Sequence, residues 1–162
     1  MSATVTPVLE RKPQPKPLRP FRVGAGGFLL LGTGHLALAA ATALGDPTPQ
    51  QQASSAAMRE SSMTLLGLER STLDIVQGMS LVMALFVIAC GLLALTAVRH
   101  APELVEQRTA FGWIPLVASL VGLAISVLLL PMPPIVVLAV TSCAFALSLR
   151  RASGRSPVVA SV

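Results

Sequence analysis

The sequence predicts an all-α integral membrane protein, a four-helix bundle with both termini in the cytoplasm. Three observations carry that prediction. The 162-residue chain is 53% hydrophobic and 12% charged, with a mean hydropathy of +0.73, whereas soluble domains run nearer a quarter charged. Four apolar runs reach or approach the ~20 residues that cross a bilayer core of about 30 Å. Ten of the twelve Lys and Arg residues fall in segments that four successive crossings would place on one side, the asymmetry expected of a cytoplasmic face.

The elements follow in order. Residues 1–22, with "RKPQPKPLRP", carry Arg11, Lys12, Lys16, Arg19 and Arg22 among prolines, which predicts an extended, polyproline-like tail held near anionic headgroups. The first span is Val23 to Leu44. Its "FLLLGTGHLALAAATA" also resembles a signal-peptide core followed by small-residue cleavage patterns. The apolar run is longer than such a core and the basic region before it is long and proline-rich, so retention as a span is expected. Residues 45–72 form the largest external piece, longer than a hairpin between neighbouring helices requires. "QQQASSAAMRESSMTLLGLER" within it is expected to hold a short interfacial helix, weakened by Gly67 and the serines. This loop is the first place to look for an external partner.

The second span, Leu73 to Val98, is preceded by "STLD", a capping box that gives Asp74 a helix-capping role. A connection with Arg99 and Arg108 leads to the third span, Phe111 to Leu130. "PMPP" then predicts a tight helix hairpin turn. The fourth span, Pro134 to Leu149, is the shortest, and the 150–162 tail adds Arg150, Arg151 and Arg155. The external side holds only Arg59 and Arg70. A three-span chain would strand the C-terminal arginines outside.

Several function classes lose support. The formal charge is +5, but aromatics make up 4% and Tyr is absent, so no stacking platform for nucleic acid exists. The basic excess reads as orientation and attraction to anionic lipid. "GTGHLA" formally fits a dinucleotide glycine pattern, yet no strand precedes it and it sits in mid-membrane. No zinc-protease, phosphate-loop or Cys-x-x-Cys motif occurs. Cys90 and Cys143 stand singly and are read as small apolar packing residues. No internal repeat supports inverted-repeat transporter architecture. Small multidrug exporters need an acidic residue in the first helix, and none is present. No catalytic residue, cofactor or resident metal is expected.

Small residues at helical spacing predict close helix contacts, within the bundle or with another subunit: Thr33, Ala37 and Ala41 in span one, and Ala118, Gly122 and Ser126 in span three, with Ser119 beside them. The informative polar group is His35, about 13 Å below the outer boundary at ~1.5 Å per residue. Gln77 and Ser80 of the antiparallel second span lie at matching depth, so the three form a candidate intramembrane polar cluster. A lone ionisable residue in a span is a functional candidate by default. Met79 and Met83, with Met63 in the loop, add thioethers suited to Cu(I), although methionine also fills irregular gaps.

"GFLLLGTGHLAL", followed by a polar loop and "STLDIVQGMSLVMALFVIACGLL", resembles a family of small bacterial four-span proteins known mainly as hypothetical proteins. The resemblance covers roughly residues 22–149. It implies the four-span architecture and adds no activity or site. The expected role is therefore a non-enzymatic accessory or scaffolding subunit of the plasma membrane, in contact with lipid and with a membrane-protein partner or another copy. The alternative is a transporter of a small solute or Cu(I), with a polar pocket around His35.

Overall fold

A computed structural model describes residues 18–106 and 109–153. Residues 1–17 of the basic tail, Arg108, and residues 154–162 of the C-terminal tail, on which sequence expectations were also placed, lie outside the described residues. The chain forms α1 (Leu18–Leu44), α2 (Pro49–Glu60), a hairpin of β1 (Ser62–Leu65) and β2 (Leu68–Ser71), α3 (Thr72–His100), the single turn α4 (Glu103–Glu106), α5 (Ala110–Leu129) and α6 (Met132–Ser153). The fold is all-α with four long helices, α1, α3, α5 and α6, each long and apolar enough to cross a membrane. Their outward faces expose large apolar side chains, among them Phe86, Leu93, Ile114, Leu128 and Val136. An apolar band of that extent marks a surface that lipid covers.

Helix backbones come close along three seams, α3 on α1, α1 on α6, and α6 on α5. That makes α1 and α6 the inner helices. All four converge at the end that carries Arg19, Arg22, Arg99, Arg150 and Arg151. There Leu18, Phe21 and Ala25 of α1 meet Ala94 and Val98 of α3, Val105 of α4, Leu116 of α5, and Phe145 and Leu149 of α6. Phe21 lies edge-on to Phe145 at 5.1 Å and stacks on Phe111 at 5.8 Å, while Phe28 leans on Phe145 at 5.5 Å. Such pairs add to the burial of the rings. This core explains why α1 includes Leu18 to Arg22 ahead of Val23: Leu18 and Phe21 are buried in it.

Close approach depends on missing side chains. A Cβ on Gly32 would fall 2.6 Å from Ile88 Cγ1 and 2.8 Å from the Ala84 carbonyl of α3. Reciprocally, a Cβ on Gly91 of α3 would meet the Ala25 carbonyl and Leu29 at 3.0 Å. On the other side of α1, a Cβ on Gly24 would fall 2.7 Å from the Phe145 ring, and one on Gly27 would collide with the Thr141 side chain of α6. The expected stripe Thr33, Ala37 and Ala41 is exposed, and this corrects its assignment to contacts within the bundle. The seam uses Ala25 and Gly32, about 100° round the helix from Thr33, and the stripe continues beyond the level where α1 and α3 part. In α5, Ser126 is buried, Gly122 is half-buried near Leu138, and Ala118 is exposed, with Ser119 buried in its stead. Cys90 and Cys143 are also exposed and do not pack between helices.

The segment between α1 and α3 differs most from expectation. Thr48 caps α2 through a full capping box: its hydroxyl accepts from Gln51 N, and Gln51 Oε1 accepts from Thr48 N at 2.8 Å, with Pro49 opening the helix. After Glu60 the chain turns into a hairpin in place of more helix. Leu66 and Gly67 both have positive φ, 52° and 82°, the signature of the tight two-residue turn that suits strand twist. Gly67 adopts it freely. Leu66 does not, because left-handed backbone in a residue with a Cβ costs on the order of 1 kcal/mol or more. Ser71 then caps α3, accepting from Asp74 N at 3.2 Å and donating to Asp74 Oδ2 at 2.7 Å. The turn at "PMPP" is shorter than expected: only Leu130 and Pro131 separate α5 from α6, and Pro133 and Pro134 occupy the first turn, where amides have no helical acceptor.

Gly32→Val is expected to lower stability in detergent by about 1–3 kcal/mol or more through overpacking. Thr33→Ala, on the exposed face, should stay within about 0.5 kcal/mol of the parent. Equilibrium unfolding of the purified protein in mixed micelles checks both.

Candidate functional site

The site begins where α1 and α3 part. Up to Gly32 the two helices touch backbone to side chain. One turn further, His35 Nε2 and Ser80 Oγ are hydrogen-bonded at 2.5 Å across the seam. Which of the two donates follows from the imidazole tautomer. His35 and Ser80 are both half-buried. Beyond this bond the helices line an open cleft of about 700 Å³, within the size range of small-molecule sites. Leu36, Ala39, Ala40 and Ala43 form one wall, Gln77, Ser80 and Leu81 the other, and Asp46, Gln51 and Ser55 stand where α2 lies across it.

The candidate cluster of His35, Gln77 and Ser80 is therefore divided. His35 and Ser80 are brought together directly. Gln77, one turn before Ser80, is exposed on the cleft wall and does not join the bond. Asp74 is occupied by the Ser71 cap at the start of α3. Met79 and Met83 are exposed on α3, and Met63 is exposed on β1, while the Nε2 of His35 is engaged by Ser80.

A second polar seam joins α5 and α6. Ser142 Oγ donates to Ser119 Oγ at 3.0 Å, and Ser119 Oγ donates to the Leu116 carbonyl at 2.9 Å, all buried. Such bonds tie helices together where lipid supplies no hydrophobic drive. Thr141 is buried against Gly27, and its Oγ1 has no hydrogen-bond partner. Sequence reasoning placed Ser119 beside the packing stripe of span three and missed Thr141 and Ser142; on α6 the signal was their spacing to Phe145, about one turn on. The Thr48-x-x-Gln51 capping box was likewise present in the sequence and marks where α2 starts.

Comparisons of the chain with protein-family models, with curated proteins and with solved structures return no match. What stands is a multi-pass membrane fold in which His35–Ser80 ties α1 to α3 and Ser119–Ser142 ties α5 to α6.

The His35–Ser80 bond is expected to contribute about 0.6–1.7 kcal/mol, the range of such contacts between membrane helices. A double-mutant cycle of His35→Ala and Ser80→Ala, read by unfolding in bicelles, measures it. Thr141→Val keeps the shape while removing an unpaired hydroxyl, and should be neutral or stabilising.

Proposed function

We infer that the protein is a non-enzymatic accessory or scaffolding subunit of the plasma membrane, with both termini cytoplasmic. One observation carries this reading: the half of α1 beyond Gly32 is left uncovered by its own chain. Only 6% of the apolar window of α1 is buried, against 22%, 22% and 39% for α3, α5 and α6. The uncovered stretch "HLALAAATAL" holds five alanines and Thr42 among three leucines and His35, and with Thr33 just before it carries the exposed Thr33, Ala37 and Ala41 face. Small residues of this kind let another helix approach closely, and they offer lipid tails little. A helix of a partner subunit, or of a second copy, fits that face. The orientation rests on the basic residues gathered at the converged end.

Transport is the second reading, favoured by the cleft at Gln77 and Ser80. It is weakened by the separation of the polar groups. Ser119 and Ser142 satisfy each other in the α5–α6 seam, and α1 stands between that seam and α3. Engagement of His35 by Ser80 and exposure of Met79 and Met83 likewise weaken the Cu(I) version. An enzyme is the third reading, because no paired acid and base or metal-ligand set can be assembled from the sequence.

The test is gentle extraction of the tagged full-length protein at native level, with the parent compared to Ala37→Leu/Ala41→Leu. A stoichiometric membrane partner or homo-oligomer in the parent, lost from the double variant while the monomer remains folded, is the expected result. A monomer recovered alone, carrying bound metal or solute, would overturn the accessory reading in favour of transport.

A further inference from the structure

We propose that the β1–β2 hairpin is an interfacial anchor whose tip sits among the lipids at the outer surface of the bilayer. The starting point is an anomaly. Leu66, at the turn, has left-handed backbone at φ 52° and is fully exposed. A turn of this type is normally built with Asn-Gly or Asp-Gly, so a leucine there sacrifices local conformational preference and buries nothing within the chain. Strained backbone of this kind tends to sit at functional positions.

The strand register shows what surrounds it. Ser62 pairs with Ser71, Met63 with Arg70, and Thr64 with Glu69. Directly paired residues share a face, and successive residues alternate. Ser62, Thr64, Glu69 and Ser71 therefore form a polar face, along which Ser62 Oγ donates to Glu69 Oε1 at 2.8 Å. Met63, Leu68 and Arg70 belong to the opposite face, and Met63 and Leu68 are more than half exposed. The hairpin is amphipathic, and its apolar face and tip are uncovered.

Three features identify lipid as the cover. First, β2 runs into α3 with no intervening residue, since Ser71 ends the strand and caps the helix. The apolar run of α3 begins at Leu73, so the base of the hairpin is at the bilayer boundary. Second, a four-residue strand spans about 13 Å, which keeps the tip within reach of the headgroup layer. Third, Arg70 stands at the base of the apolar face, opposite Met63. A cation beside an apolar wedge is the arrangement of interfacial segments, with the guanidinium on phosphate and the aliphatic groups below it. A lone two-stranded hairpin is marginal in water, and immersion of its apolar face would also stabilise it.

The test uses full-length protein with Cys90→Ala and Cys143→Ala, reconstituted alone into phosphatidylethanolamine–phosphatidylglycerol vesicles. Single cysteines introduced by Leu66→Cys, Leu68→Cys or Thr64→Cys carry an environment-sensitive fluorophore. Labels at positions 66 and 68 should be blue-shifted and quenched several-fold more by nitroxide lipid than by iodide equilibrated across the vesicles. The label at position 64 should show the reverse. Equal iodide access at positions 64 and 66 would overturn the proposal. Leu66→Asn provides a variant that suits the turn and so preserves the hairpin. With the reporter at position 68, it should reduce lipid quenching about threefold, and unchanged quenching there would also overturn the proposal. Only protein and lipid are present, so the outcome is independent of whether the α1 face holds a partner.

Discussion

The structure depends on one constraint: α1 must be thin on two sides at once. It stands between α3 and α6, and in a bilayer no hydrophobic force drives those helices onto it. Attraction has to come from close van der Waals contact, which requires backbones to approach. Gly24 and Gly27 leave room for Phe145 and Thr141, while Gly32 leaves room for Ala84 and Ile88, and Gly91 opposite admits the backbone at Ala25. With α1 held in this way, the phenylalanines at the converged end can interlock and Val105 can fill the space below them. The aromatic core follows from the glycines. Bulk on either glycine face would separate the rings as well as the helices.

The same constraint explains the site. Gly32 is the last glycine of α1 that faces α3, since Gly34 faces open space, and the next contact is a polar one through His35 and Ser80. An imidazole has the reach to bridge a gap that is opening. Past it, alanine side chains are too short to bridge, and a cleft results. His35 is thus a tie at the fork between two helices, and the polar character of the cleft comes from α2, α3 and Asp46. The hairpin and α2 pack beside the start of α3 without entering the seam.

Much of this was legible in the sequence. The four spans follow from run length, because the bilayer sets a fixed thickness that composition has to match. That His35 lies level with Gln77 and Ser80 followed from depth along antiparallel helices, although which of the two it bonds did not, and the cap at Ser71 followed from its spacing to Asp74. What failed to show was rotation about the helix axis. Thr33, Ala37 and Ala41 have ideal spacing, but spacing alone does not say which stripe of a glycine- and alanine-rich helix meets a neighbour, and "VGAGGFLLLG" contains several. The hairpin was missed because Leu65 to Leu68 reads as apolar, with helix-forming residues around it. Only the pairing of Ser62, Met63 and Thr64 with Ser71, Arg70 and Glu69 reveals period two. The start of α1 at Leu18 was hidden by charge, since Arg19 and Arg22 read as tail until Phe21 is known to have partners.

The seam between α1 and α6 joins the first helix of the chain to the last. During synthesis α1 emerges while Phe145 and Thr141 are still untranslated, so its Gly24 and Gly27 face waits for α6 to be made. The core at the converged end therefore closes only once α6 is in place, and a chain stalled or clipped before α6 would keep α1, α3 and α5 but leave the Gly24 and Gly27 face without its neighbour.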